Sequence, residues 1–417
     1  MRFYSAGIFF LFGLFISSCG VVTNLEDRAF YKKLGASGSD SFERVLSRAG
    51  SGYRLQMVYT SVNRKKSGLP VCRSYFYRTR QNQYLYPASM VKLPLSLVAL
   101  EKLNRLKTQN GCIINRATPI VFDSAYICQQ KLGIDADTPS IDAFIRKMML
   151  VSDNVSYNRT YEFAGYDDLG IALKSKGFEG MRIVHRFSQQ CDSLSNYITN
   201  PFAFVNGKDT VCRNPMQKAK KRFVNPRGRV FMGKGYMSDV LINEPKEFTY
   251  RNNAPLEEMH RLMLGLFVPE TQSAGALWNI PDDDLNALKK YMGMWPSESQ
   301  NPVYPLPKNF KKYIFMGTDS SMPMGSDIRI FNVVGRAYGV LADCAYVVDF
   351  NSGAEFFVSA IMYCNERDIL NTDDYQYHNV GLPFMTELGR LIYEREKQKA
   401  TKHNKAQVQK LKMLFNR

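Results

Sequence analysis

Tyr53 to Thr60 (Y-R-L-Q-M-V-Y-T) alternates apolar and polar positions and is rich in β-formers, which predicts a strand. Ser74 to Thr79 reads likewise, and Lys65-Lys66-Ser67-Gly68 between them reads as a turn. From Ala88 to Leu106 the period changes: Val91, Leu95, Val98, Leu103 and Leu106 recur at helical spacing, with Pro94 tolerable only in the first turn or at a kink. Further helices are expected over 140–150, 157–164, 256–267 and 284–292. The stretch 187–250 is rich in Asn, Gly, Pro and Lys and shows no clean period, so loops are expected there. Strand patterns return over 327–334, 337–350 and 355–362, and a helix with Phe384, Leu388, Leu391 and Ile392 mostly on one face follows over 382–396. Strands near both chain ends predict an α/β fold. One antiparallel sheet is built from the two ends and flanked by helices, with a mainly helical subdomain inserted at about 95–325.

The chain's 417 residues are 45% hydrophobic and 22% charged, which excludes a mostly disordered protein. Four histidines (His185, His260, His378, His403) and the absence of H-E-x-x-H leave few candidates for a His-based zinc site or a Ser-His-Asp triad. The chemistry expected is therefore histidine-free, with no metal and no cofactor.

Arg2 and the apolar run Ile8 to Ile16 read as a secretory signal, here 1–18. Ile16-Ser17-Ser18-Cys19 resembles the bacterial lipobox, with Cys19 as the lipidated residue; the alternative is an ordinary signal peptide. The expected product is anchored in the cell envelope, periplasmic or at the cell surface. It has a lipid-anchored linker over 19–49, a catalytic domain over 50–396 and a basic tail over 397–417. Export permits disulfides, and the cysteines close in sequence, Cys112 with Cys128 and Cys191 with Cys212, are the first pairs to consider. Lys and Arg exceed Asp and Glu by +17, partly in Lys218 to Arg222 and in the tail. In an exported protein such a surface suits anionic lipid or cell-wall polymer better than nucleic acid, and a solvated helix face and tail explains it better than either.

The segment Tyr86-Pro87-Ala88-Ser89-Met90-Val91-Lys92-Leu93-Pro94 places Ser89 and Lys92 at i and i+3, on one helix face. Free N–H groups at a helix start favour developing negative charge, and a buried lysine can have its pKa lowered enough to act as a base. Ser152-Asp153-Asn154 follows a predicted helix, with Asn158 beyond it. In this order and context the S-x-x-K and S-D-N motifs resemble those of the penicillin-recognising serine hydrolases, closest to the class A β-lactamase branch.

The resemblance implies a β-lactamase/transpeptidase-like fold and an acyl-serine mechanism on an amide or peptide, either a β-lactam or a cell-wall D-alanyl peptide. Ser89 becomes the nucleophile, Lys92 its base and Ser152 the proton relay, while Asn154 holds the substrate amide and Lys92. The backbone N–H groups of Ser89 and Arg336 form the oxyanion hole. The family's K-[ST]-G wall falls on Val333-Val334-Gly335, where only the glycine matches. Lys66-Ser67-Gly68 precedes Ser89 and is in the wrong chain order. An apolar wall should disfavour carboxylate-bearing substrates unless Arg336 or Arg329 compensates, and Val333→Lys with Val334→Thr should then accelerate acylation. Asp192, in Asp192-Ser193-Leu194-Ser195-Asn196, is the candidate for the family's deacylating acid, against a capping role. The alternative reading is an inactive relative that binds cell-wall fragments or a protein partner.

Overall fold

The computed structural model describes residues 25–50, 52–79, 83–124, 132, 138–188, 193–226, 228–318 and 327–415. Cys19, Cys128, Cys191 and Asp192 lie outside these, as does the predicted signal segment.

Five strands form the central sheet: β1 (Gln56–Arg64), β2 (Pro70–Tyr77), β3 (Ile328–Ala337), β4 (Val340–Asp349) and β5 (Glu355–Tyr363). Their order is β3-β4-β5-β1-β2 and every pairing is antiparallel. The two chain halves meet where β1 pairs with β5, Thr60 opposite Phe357. Alternation along each strand sends side chains to two separate cores. Val58 and Val62 join Cys344, Tyr346 and Phe357 on one face, while Met57 and Tyr59 join Leu341, Val347 and Phe356 on the other.

The first face is covered by the inserted helices: α3 (Lys92–Gln109), α4 (Ile141–Val151), α5 (Asn154–Ala164), α6 (Tyr166–Ser175), α7 (Leu256–Phe267) and α8 (Asp282–Gly293). The second face carries α1 (Leu25–Gly35), α2 (Asp40–Ser47) and α9 (Leu382–Lys399). The sheet is thus the middle of three layers, as an α/β fold built from both chain ends requires.

Three expectations need correction. The linker is folded: Tyr31 donates to the Tyr75 carbonyl at 3.0 Å, and Phe42 of α2 stacks on Phe384 of α9 at 4.7 Å. Burying those rings outweighs the polarity that made the segment read as a spacer. The basic tail holds α10 (Lys402–Lys412), whose Val408 is buried and whose Asn404 donates to the Val62 carbonyl at 2.8 Å. The disulfide joins Cys112 to Cys212, with Cα atoms 5.6 Å apart, rather than either cysteine to its sequence neighbour. Ile120–Phe122 pairs with Phe202–Asn206, which pairs in turn with Asp209–Asn214, and this small sheet brings the two distant cysteines together. It also replaces part of the loop region expected over 187–250.

Candidate active site

The polar groups converge where α3 begins. Pro87 and a single 3₁₀ turn, Ala88–Val91, precede the helix, and Pro94 sits harmlessly in its first turn. Ala88 adopts φ +46°, a conformation that an L-residue enters only at a cost. This strained residue immediately precedes Ser89, which is only partly buried while its neighbours Ala88, Met90 and Val91 are buried. The turn therefore lifts one side chain of the segment towards the cleft.

Lys92, one turn on, is almost fully buried at 1% exposure. Its ammonium donates to Ser152 Oγ at 3.0 Å, to Asn154 Oδ1 at 2.8 Å and to the Ser152 carbonyl. Burial pulls its pKa down from the usual lysine range to about 7; the charge of Asp153 opposes the shift and that of Lys311 adds to it. A lysine poised there exchanges protons at neutral pH without a large driving force.

The S-D-N triplet forms the junction of two helices. Ser152 ends α4 in the left-handed conformation, φ +59°, with its N–H closing on Met148 at 3.1 Å. Asp153 caps α5, accepting from the Ser156 amide at 2.6 Å, and Asn154 is the first residue of that helix. One tight corner thus turns the Ser152 hydroxyl and the Asn154 amide onto Lys92. The structure brings Lys92, Ser152 and Asn154 together as the motif spacing implied.

Opposite this corner stands Phe187. Asn158 of α5 clamps its backbone on both sides, donating to the Phe187 carbonyl at 2.9 Å and accepting from its N–H at 2.9 Å. The ring stacks on Tyr157 at 4.1 Å and lies 5.5 Å from Lys92 Nζ. Arg186 beside it is buried, pairing with Glu162 at 2.9 Å and donating to the Ile198 carbonyl at 2.9 Å, which fixes the segment from below. The family resemblance directs attention to an acid in this region, whereas the group that faces Lys92 is an aromatic ring. No sequence signal marked Phe187; only the clamp by Asn158 reveals its place.

The other wall is β3. A Cβ on Gly335 would come within 2.2 Å of the Pro87 carbonyl oxygen, so glycine alone lets the strand pass against the turn that carries Ser89. Val333 and Val334, 7% and 5% exposed, point to opposite sides and pack into the two different cores. The wall is apolar, as the sequence implied. Arg329, one of the cations considered as a substitute, is engaged by Glu298 through two bonds of 2.8 Å. Arg336 is exposed and lies 5.6 Å over the Tyr377 ring, at the edge of a shallow cleft of about 500 Å³ shared with Tyr338 and Tyr375. The decoy Lys66-Ser67-Gly68 occupies the β1–β2 hairpin turn. Among the described residues, no group of three or more His, Cys, Asp or Glu side chains is placed to hold a metal ion.

Residues 49–218, which contain all four polar site groups, match the model of the "Beta-lactamase enzyme family". No curated protein matches the chain significantly. Solved structures similar to it include a β-lactamase from Sphaerobacter thermophilus, at 12% identity and TM-score 0.47, covering 87% of this chain and 97% of that one. A β-lactamase from Desulfarculus baarsii is 13% identical with TM-score 0.47, covering 88% and 99%. A mutant of PBP-A in acyl-enzyme complex with penicillin G is 12% identical with TM-score 0.45, covering 87% and 97%. Both S-x-x-K and S-D-N lie inside the matched segment, so it is residues 49–218 that carry the likeness to the serine β-lactamase-like family.

Proposed function

We propose that this protein is an exported serine hydrolase that forms an acyl-serine at Ser89 with a β-lactam or a D-alanyl peptide. The observation that carries this reading is the buried Lys92, near-neutral and bonded to Ser152 and Asn154 one turn from Ser89. In the first step the neutral Lys92 amine takes the Ser89 hydroxyl proton as Oγ attacks the substrate carbonyl. The C–N bond then breaks, and Ser152 passes a proton to the leaving nitrogen. The oxyanion is assigned to the backbone N–H groups of Ser89 and Arg336, whose strand is held against the turn by Gly335.

Hydrolysis of the acyl-serine needs a base beside the attacking water. Phe187 offers none, and Asp153, whose charge does reach Lys92, has one oxygen engaged in capping α5. Asp192, the candidate for that base, lies outside the described residues, so the lifetime of the acyl-serine is the measurement that separates a penicillin-binding peptidase from a β-lactamase.

The test is a fluorescent penicillin followed by mass spectrometry of the Ser89 peptide. An adduct on Ser89 is expected. An unlabelled Ser89 would sink the proposal, and label that leaves within seconds would mark a β-lactamase rather than a peptidase.

Anchoring through lipidated Cys19 is proposed as well, on the lipobox-like Ile16-Ser17-Ser18-Cys19, and the Cys112–Cys212 disulfide suits an oxidising compartment. Cys19→Ala should release the protein from membranes, and unchanged fractionation would count against the anchor.

A further inference from the structure

We propose that Lys311, which belongs to no motif, binds the carboxylate of the substrate in place of the cation missing from β3. The inference rests on the acyl-serine reading for the identity of the substrate, and on the following geometry for the site.

The turn carrying Lys311 is fastened to the strand wall at the residue before Val333. Asn332 Nδ2 donates to the Lys311 carbonyl at 2.9 Å and to Asp343 Oδ1 at 2.9 Å. The next residue, Lys312, is buried and donates to Asn332 Oδ1 at 2.7 Å, to the Ile330 carbonyl at 2.8 Å and to the Met292 carbonyl at 2.7 Å. With its neighbour locked on three acceptors, Lys311 is held at φ +59°, a left-handed position that lysine rarely takes. Strain of this kind persists only where the surroundings over-determine it.

Its ammonium lies 5.2 Å over the Phe310 ring, within electrostatic reach of two other cations: its charge acts on Lys92, and that of Arg336 acts on it. Burial and Arg336 together pull the Lys311 pKa down to about 8, so it remains mostly charged at neutral pH. Among the described residues, no carboxylate pairs with Lys311 and no acceptor takes a hydrogen bond from its Nζ. A half-buried cation that faces a ring rather than a carboxylate, and that acts on a second buried lysine, is costly in the empty protein, and an anion entering the cleft removes that cost. Among the described residues, the acid whose charge acts on Lys92 is Asp153, on the S-D-N corner. A monoanionic substrate that presents a carboxylate near its scissile amide, as both D-alanyl peptides and penicillins do, completes the cluster. Arg336, exposed and stacked over Tyr377, is left to guide the anion inward.

The experiment compares benzylpenicillin with its methyl ester. Equilibrium binding to Ser89→Ala protein, which cannot be acylated, should favour the free acid at least tenfold. Adding Lys311→Ala should remove most of that preference, Lys311→Arg should restore part of it, and Arg336→Ala should leave most of it. Ester affinity serves as the internal control: if Lys311→Ala also loses the ester through misfolding, Lys311→Gln replaces it. An acid preference that persists without Lys311, or that disappears with Arg336 alone, overturns the assignment. So does equal binding of acid and ester by the parent. If the wild-type protein is acylated by neither compound while acid binding still depends on Lys311, the anion site stands and the acyl-serine reading falls.

Discussion

The two walls of the cleft follow the family resemblance unequally. On the helical wall, the buried Lys92 amine is bonded to both Ser152 and Asn154. On the strand wall, two valines stand where the resemblance implies polar groups, and Gly335 lets β3 touch the turn before Ser89. The difference follows from what each task demands. Proton transfer requires groups within hydrogen-bond reach, so each member of that set constrains the others. Attracting a carboxylate requires only a charge of the right sign within a few ångströms, which any neighbouring segment can supply.

The largest expected effect breaks the helical wall. Lys92→Ala should slow acylation of Ser89 by about 10²–10⁴-fold, the usual worth of a positioned base. Stopped-flow labelling would read it, and near-normal rates in the variant would remove Lys92 from the mechanism. Next comes acidity. Only the neutral amine accepts a proton, so the rate should rise with pH to a plateau above about 7 and fall about tenfold for each unit below it. A profile flat from pH 5 to 8 would contradict that assignment.

The smallest effect concerns the strand wall, where the Lys311 proposal leads to the opposite expectation from the motif comparison. Val333→Lys with Val334→Thr would put a second ammonium near Lys311 and Lys92 and a hydroxyl into a core. We therefore expect less than a threefold change in penicillin acylation, with a loss of about 1–3 kcal/mol in stability. A tenfold gain in rate at unchanged stability, measured by labelling and urea denaturation, would show that β3 lacks its anchor after all.

The sheet was legible because strand patterns lay near both ends of the chain, and α7 over Leu256–Phe267 because its apolar period is strong. Ser89, Lys92, Ser152 and Asn154 were legible because each pair is local: one helical turn, and one helix–helix corner. Phe187 and Lys311 carry no local mark. Their places depend on Asn158 and Asn332, side chains of elements distant in sequence. The helices α1 and α10 escaped notice because a few buried residues, Tyr31 and Val408 among them, hold otherwise polar segments. The small helix α6 was missed likewise, although Leu169 and Leu173 are fully buried. The disulfide was mispaired because nearness along the chain is no guide once a small sheet intervenes.

The order of strands in the central sheet also bears on how the molecule is made. β1 and β2 leave the ribosome early, yet β1 lies between β2 and β5, and its second edge stays open until residue 363 has been synthesised. At roughly 5–20 residues per second that interval is on the order of tens of seconds. Throughout it a strand with apolar side chains on both faces, Met57 and Tyr59 on one and Val58 and Val62 on the other, remains unpaired along one edge. Gly335 cannot reach Pro87 before then either, so no partial chain owns a cleft. A nascent chain of this design waits for its last quarter before it can fold, and holding that edge apart from other chains in the meantime is work for a chaperone.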